Sequence, residues 1–315
     1  AVEVGLARAV RARHDRELFE GQHDVAEGSV AGDGERAQHP LTLPGGVDIA
    51  TPRFARLAGV SQQQSVPALQ LSGLVKQFGS TPAVAGIDLT VPAGSFYGLV
   101  GPNGAGKTTT LSMATGLLRP DAGGAWVHGI DVWRDPVAAK RVIGNLSDGN
   151  RLFDRLTGEQ LITYTAMMFG LPRADIAPRV SDLLDLMDLR PAAGTVVADY
   201  SAGMTKKVAL ACALVHAPRL LVLDEPFESV DPVSAANIED VLRSYTASGG
   251  SVIVSSHSMD LVQRMCDHVA VIAAGRVLAA GTVEEVRAGR SLQDRFVELV
   301  GGRHTSEGPQ WLRQS

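Results

Sequence analysis

The sequence predicts an α/β fold with a mainly parallel core sheet, and three features of its pattern support that prediction. After residue 215, short apolar runs alternate with segments of helical period, as in parallel strands joined by helices. A glycine-rich loop separates the apolar run SFYGLV from a helical segment, KTTTLSMATGLL. A helical stretch at about residues 148–215 interrupts the alternation, so we expect an inserted helical subdomain there.

The chain divides by composition into two tails and one domain. Residues 1–67 are rich in Gly, Pro, Gln and mixed charge and hold few large apolar residues, so we expect disorder. Residues 68–301 carry the strand and helix patterns and should form the folded domain, followed by a C-terminal tail at 302–315. No run approaches the roughly 20 apolar residues of a membrane helix, and the N-terminus lacks the apolar segment of a signal peptide.

Composition narrows the class of partner. The net charge of −5 and the pI near 5.9 lack the basic excess of a general nucleic-acid binder, so we expect no nucleic-acid partner. The two cysteines, Cys212 and Cys266, form no closely spaced pair. We expect both to be reduced, buried thiols of a cytosolic protein.

Strand and helix patterns follow one another through the domain. LQLSGL, GIDLTV, SFYGLV, VHGIDV and RVIGNL each predict a strand. The capping box TGEQ, Thr157–Gln160, predicts a helix over LITYTAMMF, and RVSDLLDLMDL has helical spacing. The last part of the domain alternates predicted strands with predicted helices: LLVLDE, SAANIEDVLRSY, SVIVSS, MDLVQRMC, HVAVIAA and GRVLAAG.

The loop GPNGAGKT fits the phosphate-loop pattern G-x-x-x-x-G-K-[ST] in full, and it lies between a predicted strand and a predicted helix as that motif requires. Its glycines let the backbone turn N–H groups toward phosphate oxygens. We expect Lys107 to reach the β- and γ-phosphates and the Thr108 hydroxyl to bind Mg²⁺. The fold predicted is therefore that of a P-loop NTPase, with these loop residues on the nucleotide: Gly101, Pro102, Asn103, Gly104, Ala105, Gly106, Lys107 and Thr108.

The apolar run LLVLDEP ends in two acids. It predicts a buried strand that delivers them to the carboxyl edge of the sheet, beside the phosphate loop. Asp224 is then placed to hold Mg²⁺ through water, and Glu225 to orient and deprotonate the attacking water. The alternative is an acidic strand end that only caps the next helix.

The run SVIVSSH predicts another buried strand, which ends at His257. By itself a histidine after a strand is more often an ordinary surface or capping residue. Because this one follows the acidic strand, at a neighbouring strand end, it is a candidate sensor of the γ-phosphate.

A second anion-binding feature lies in YSAGMTKKVALACAL. This segment predicts a helix with Ser201 at its N-cap and Gly203 in its first turn. Free backbone N–H groups, a hydroxyl and the positive end of the helix dipole all favour an anion there. We interpret Lys206 and Lys207, on the same helix, as part of a solvated face.

Taken in this order, the motifs resemble the nucleotide-binding domain of ATP-binding-cassette (ABC) transporters, over about residues 69–300. The resemblance implies an antiparallel β region near the N-terminal side of the core and a short final helix at SLQDRFVELVG. It places Phe78 against the adenine and adds Thr109 to the phosphate loop. It also assigns metal binding to Asp224 and catalysis to Glu225 and His257.

The same resemblance implies a composite site and a set of partners. Family members pair head to tail, so ATP and Mg²⁺ would lie between the phosphate loop of one subunit and Ser201 and Gly203 of a second copy. The implied function is an ATPase subunit of an exporter that powers a separately encoded membrane permease. Its place would be the cytoplasmic face of the cell membrane, with the permease contacted through about residues 148–169.

Three departures from the family pattern stand out. The signature reads YSAGM, with Ala202 and Met204, a form similar to that of exporters with separately encoded membrane subunits. Asp148 stands where the family has a glutamine that touches Mg²⁺ and water; aspartate can accept but not donate a hydrogen bond. It is a candidate metal residue, or it only caps the turn before Arg151. The third departure is Glu228-Ser229, where a smaller or more apolar residue is frequent.

Two other functions remain open on the sequence. One is a soluble, non-transport ABC ATPase of translation or DNA repair; the first type usually has two cassettes and the second long coiled coils, and neither is present. The other is a regulatory subunit that binds ATP without hydrolysing it. The presence of Lys107, Asp224, Glu225 and His257 argues against that function, whereas Asp148 favours it.

Overall fold

The computed structural model describes residues 66–147 and 152–301. Its strands, in chain order, are β1 Leu69–Phe78, β2 Thr81–Val91, β3 Phe96–Val100, β4 Ala122–Val127, β5 Ile130–Asp131, β6 Ile143–Leu146, β7 Leu220–Asp224, β8 Ser251–Ser256, β9 His268–Ala273 and β10 Arg276–Thr282. Its helices are α1 Lys107–Ala114, α2 Pro136–Val142, α3 Gly158–Met168, α4 Arg173–Leu186, α5 Ala202–Leu214, α6 Pro232–Ala247, α7 Met259–Met265, α8 Val283–Arg287 and α9 Leu292–Leu299. Among these helices, none is both long enough and apolar enough to cross a bilayer.

The central sheet confirms the predicted α/β class. Its six strands lie in the order β10-β9-β3-β8-β7-β6, and every neighbouring pair is parallel except β10 with β9. The strands β3, β7 and β8 are buried along their whole length, which is why their sequences are continuous apolar runs. The carboxyl ends of these three strands lead into the phosphate loop, the two acids and His257.

Alternate residues of β3 belong to two different hydrophobic clusters, one on each face of the sheet. Phe96 and Val100 belong to the cluster that also contains side chains of α3 to α7, whereas Tyr97 and Leu99 belong to the cluster that also contains the second sheet. This division follows from the two-residue period of a strand. The strand that leads into the phosphate loop is therefore fixed on both faces.

The second sheet is antiparallel, with the order β2-β1-β4-β5, as expected for the N-terminal side. One detail of the prediction is wrong: VHGIDV is not a single strand but the end of β4, a turn and β5. His128 and Gly129 form the turn with φ angles of 48° and 79°, and two positive φ angles in succession suit a type I′ hairpin.

Three helices, α3 to α5, lie between β6 and β7, where the sequence predicts the inserted helical region. The capping box predicted at the start of α3 is present, with reciprocal hydrogen bonds between Thr157 and Gln160. The short final helix is present as α9. The limits of the subdomain stay a prediction, and most of the first tail, residues 1–65, and all of the second, residues 302–315, lie outside the described residues.

Candidate nucleotide-binding and hydrolysis site

At two positions of the phosphate loop, a neighbouring strand approaches so closely that only glycine fits. A Cβ on Gly101 would lie 2.2 Å from the carbonyl oxygen of Ile272, and one on Gly106 would lie 2.4 Å from that of Ala83. Gly106 also has a φ of 100°, which a side chain rarely tolerates. The loop is thus held against β9 and β2 at positions where only glycine fits.

Lys107 opens α1 and is only 7% exposed. Its ammonium donates to the carbonyl oxygen of Gly101 at 2.8 Å and to that of Pro102 at 3.4 Å. Its Nζ also lies 3.7 Å from Oε1 of Glu225. The predicted phosphate-binding lysine and the predicted base are therefore neighbours, although 118 residues separate them (225 − 107).

Glu225 also meets the predicted γ-phosphate sensor. Its Oε2 lies 3.0 Å from Nδ1 of His257. The histidine side chain is itself more than half exposed and reaches the carboxylate from the end of β8. The Glu225 carboxylate thus stands between one amine and one imidazole, at the edge of the sheet that the sequence predicts.

Asp224 is 2% exposed at the end of β7. Its Oδ1 accepts a hydrogen bond from the Ser255 hydroxyl, whereas its Oδ2 is buried and has no partner among the described residues. A buried carboxylate oxygen requires a partner, and Mg²⁺ or its bound water is one that fits. Thr108, exposed at the second position of α1, is the other predicted protein group for that ion.

No cluster of three or more His, Cys, Asp or Glu side chains that could hold a metal occurs within residues 66–147 and 152–301. This is compatible with Mg²⁺, which keeps several waters and takes one or two protein ligands plus phosphate oxygens. Asp148, the third predicted metal residue, lies in residues 148–151, outside the described residues.

Phe78 ends β1 and is 53% exposed, so its ring is accessible for stacking. The Lys76 ammonium lies 5.8 Å from the centre of that ring. The next strand, β2, carries Ala83, whose carbonyl oxygen is in close approach to Gly106. The hairpin of Phe78 therefore adjoins the phosphate loop.

Ser201 is the N-cap of α5, as predicted, and its hydroxyl accepts the Met204 N–H at 3.2 Å. Gly203 is buried, and a Cβ there would lie 2.7 Å from Oδ2 of Asp231 and from the Ser234 hydroxyl. In the described part of the chain, no hydrogen bond or ion pair joins Ser201 or Gly203 to the phosphate loop. Neither residue is therefore joined to the phosphate loop of its own chain by a described hydrogen bond or ion pair.

The interpretation of Lys206 and Lys207 as a solvated face is wrong. Lys207 is buried, and the Lys206 ammonium donates to the carbonyl oxygen of Glu225 at 3.1 Å.

Ser255 is a second residue of the site that the sequence did not reveal. Its hydroxyl donates to Asp224 and accepts from the N–H of Glu225. A hydroxyl near the carboxyl end of a buried strand, two residues before a candidate histidine, was the available signal for Ser255.

Both cysteines have free thiols, as predicted; Cys266 is also a buried residue as predicted, whereas Cys212 is only partly buried. Burial raises the pKa of the Cys212 thiol to about 12. It also raises the pKa of the Cys266 thiol. Neither thiol is a nucleophile at neutral pH.

Ser229 has a φ of 59° in the segment that follows Glu225. A non-glycine residue in that region is strained, so Ser229→Gly is expected to raise the free energy of unfolding by about 0.5–1 kcal/mol. Thermal denaturation measures the change. Ser244→Gly, at an exposed helical position of α6, is the matched control and should lower stability by a similar amount. A Ser229→Gly protein less stable than the wild type would contradict the strain.

A phosphate loop follows the buried strand β3, and two acids lie at the end of β7, a parallel strand two positions away in the same sheet. This combination defines the class of P-loop nucleoside triphosphatases. Comparison with known proteins narrows that class. Residues 84–228 match the ABC transporter family. Among solved structures, the chain is similar to the ATP binding subunit of an ABC transporter, with 29% identity and a TM-score of 0.69, covering 74% of this chain and 99% of that one.

Two curated relatives have resistance functions. The daunorubicin/doxorubicin resistance ATP-binding protein DrrA of Streptomyces peucetius is 38% identical over 224 residues, 71% of this chain and 68% of that protein. The linearmycin resistance ATP-binding protein LnrL of Bacillus subtilis (strain 168) is 33% identical over 214 residues, 68% of this chain and 69% of that protein. The chain belongs to the family of ABC transporter ATP-binding proteins, and it is an ATP-binding, ATP-hydrolysing subunit. These relatives favour a transporter subunit over the translation and DNA-repair alternative.

Proposed function

We propose that two copies of this chain bind ATP and Mg²⁺ head to tail and power a separately encoded membrane permease that exports its substrate. One observation carries the proposal that the chain hydrolyses ATP. Oε2 of Glu225 lies 3.0 Å from Nδ1 of His257, and its Oε1 lies 3.7 Å from Nζ of Lys107, the lysine of the phosphate loop. A base, a phosphate-binding amine and an imidazole therefore converge where the γ-phosphate of a bound nucleotide would lie.

The chemistry follows from these positions. Mg²⁺, held by Thr108 and Asp224, would neutralise charge on the β- and γ-phosphates. Glu225 accepts a proton from the water that attacks the γ-phosphorus, while the bond from that phosphorus to the bridging oxygen breaks and gives ADP and inorganic phosphate. Lys107 leaves its loop carbonyls for the phosphate oxygens, and His257 orients the carboxylate and contacts the γ-phosphate.

The second subunit is proposed to complete the site. Ser201 is exposed at the start of α5, beside backbone N–H groups and the positive end of the helix dipole. That end suits an anion, yet among the described residues no hydrogen bond or ion pair joins it to the phosphate loop of its own chain. A second copy in head-to-tail arrangement would supply the missing phosphate, so each chain should be incomplete as an ATPase until it pairs.

The permease is proposed to bind the end of α3. Met167, Met168 and Phe169 are exposed there, and Phe153 is exposed nearby, where its ring packs edge-on against Tyr164. Clustered exposed apolar side chains are typical of an interaction surface. The chain would then sit at the cytoplasmic face of the cell membrane through its partner. Export as the direction rests on the YSAGM signature and on relatives named for drug resistance and for Nod factor export.

Ser201→Ala tests the composite site. Loss of one hydroxyl donor to the γ-phosphate is expected to lower ATP turnover about tenfold, which corresponds to about 1.4 kcal/mol. ATP binding to the isolated chain should not change, because in the proposed arrangement Ser201 contacts the ATP of the second chain. Steady-state hydrolysis and equilibrium binding of ATP measure the two quantities separately.

Mixing two variants sharpens this test. In a head-to-tail pair of a Lys107→Ala chain with a Ser201→Ala chain, one site has both changes and the other has neither. The mixture should therefore hydrolyse ATP faster than the mean of the two separate variants. If the mixture shows only that mean, Ser201 does not act on the ATP of a second chain, and the proposed arrangement is refuted.

A further inference from the structure

The backbone of Glu225 is strained, and side chains from two other elements hold it. Its φ is 45°, in the left-handed region that residues other than glycine rarely adopt. Its N–H donates to the Ser255 hydroxyl at 2.9 Å. Its carbonyl oxygen accepts from the Lys206 ammonium at 3.1 Å and from the Glu228 N–H at 3.2 Å. A conformation of this kind persists only where its surroundings fix it.

Lys206 reaches Glu225 from α5, the helix that Ser201 caps. The same helix makes a second approach to the segment after Glu225, since a Cβ on Gly203 would lie 2.7 Å from Oδ2 of Asp231. No space remains between that turn of α5 and the start of α6. The first two turns of α5 therefore lie against residues 225–234 at two points.

An ammonium donor is suited to fixing the peptide group of Glu225. A hydrogen bond from a charged donor is stronger than one between neutral groups, and the carbonyl oxygen has two lone pairs for its two donors. The direction of the Glu225 side chain depends on that peptide group. A general base must lie within hydrogen-bond distance of the water proton that it takes, so a small rotation there reduces the rate.

We propose that Lys206 is a positioning residue for Glu225. Lys206 would then connect two parts of one chain: the start of α5, which is proposed to contact the second subunit's ATP, and the catalytic base Glu225. This inference rests on the proposed function, in which Glu225 is the base and Ser201 contacts the other ATP. In this inference Lys206 acts on the catalytic base and not on the nucleotide. It acts by holding the Glu225 carbonyl, to which its ammonium donates at 3.1 Å.

The test is Lys206→Met, which keeps the aliphatic stem and removes the donor. We expect kcat for ATP hydrolysis to fall about tenfold, while KM and the dissociation constant of ATP stay within about twofold. The melting temperature should stay near that of the wild type. Lys206→Arg restores a charged donor and should recover most of kcat. Lys140→Met, at an exposed lysine of α2, is the matched control and should behave as the wild type.

Two outcomes would overturn the inference. In the first, Lys206→Met hydrolyses ATP at the wild-type rate, so that Glu225 needs no support from Lys206. In the second, Lys206→Met and Lys206→Arg lose activity equally and both melt at a lower temperature, so that Lys206 only packs the helix. Glu225→Gln, measured in parallel, separates this failure from that of the proposed function: if that variant turns over at the wild-type rate, Glu225 is not the base, whatever Lys206 does.

Discussion

Replacing Glu225 with glutamine is expected to lower the rate of ATP hydrolysis by about 10²–10⁴-fold, the usual contribution of a general base. Glutamine has nearly the shape of glutamate, and its side chain can keep a hydrogen bond to His257, 3.0 Å away in the wild type. It cannot take a proton from water at neutral pH. The replacement removes the ion pair of Glu225 with Lys107 but changes no residue of the phosphate loop, so the dissociation constant of ATP should stay within about twofold.

The loss of turnover has a consequence for assembly. If ATP joins two chains and hydrolysis separates them, Glu225→Gln should accumulate as a dimer when ATP and Mg²⁺ are added. Size-exclusion chromatography with light scattering measures this, and the wild type should return to monomer as its ATP is consumed. Asp240→Asn, which removes one exposed carboxylate from α6, is the control for lost charge. A Glu225→Gln protein that hydrolyses ATP at the wild-type rate would exclude this residue as the base.

The parts of the site that the sequence predicts are those encoded in short, contiguous patterns. The phosphate loop needs only a strand, eight residues and a helix, and all three are adjacent in the chain. Asp224 and Glu225 follow a buried apolar run, so their place at the carboxyl edge of a parallel sheet was also predictable. The order of the strands could not be predicted in this way. Only the structure shows that β3 lies between β8 and β9, which brings His257 close to the loop.

The features that the sequence does not predict depend on contacts across the fold. Lys206 on a helix is consistent with a solvated face, because a lysine four carbons long can reach either water or a buried carbonyl. The φ of 45° at Glu225 follows from hydrogen bonds to β8 and α5, and no local pattern encodes it. In VHGIDV the polar residues were too few to reveal a turn, and the paired φ angles at His128 and Gly129 decide it.

Replacing Lys107 with alanine is expected to weaken ATP binding about 10- to 100-fold. The Lys107 ammonium lies 2.8 Å from the Gly101 carbonyl oxygen and 3.4 Å from that of Pro102, so it is already directed into the loop that would hold the phosphates. A hydrogen bond to a charged group contributes about 1.5–3 kcal/mol, and each 1.4 kcal/mol corresponds to about tenfold in affinity. Isothermal titration of ATP measures the change.

The two variants should fail in opposite ways, and that contrast is the stronger test. Lys107→Ala should bind ATP more weakly and form less of the dimer that ATP induces, whereas Glu225→Gln should keep both and lose only turnover. Lys140→Ala, at an exposed position of α2, is the matched control and should bind ATP as the wild type does. If Lys107→Ala bound ATP with unchanged affinity, the ammonium would serve only to neutralise Glu225, 3.7 Å away, and the loop would hold phosphate through its backbone N–H groups alone.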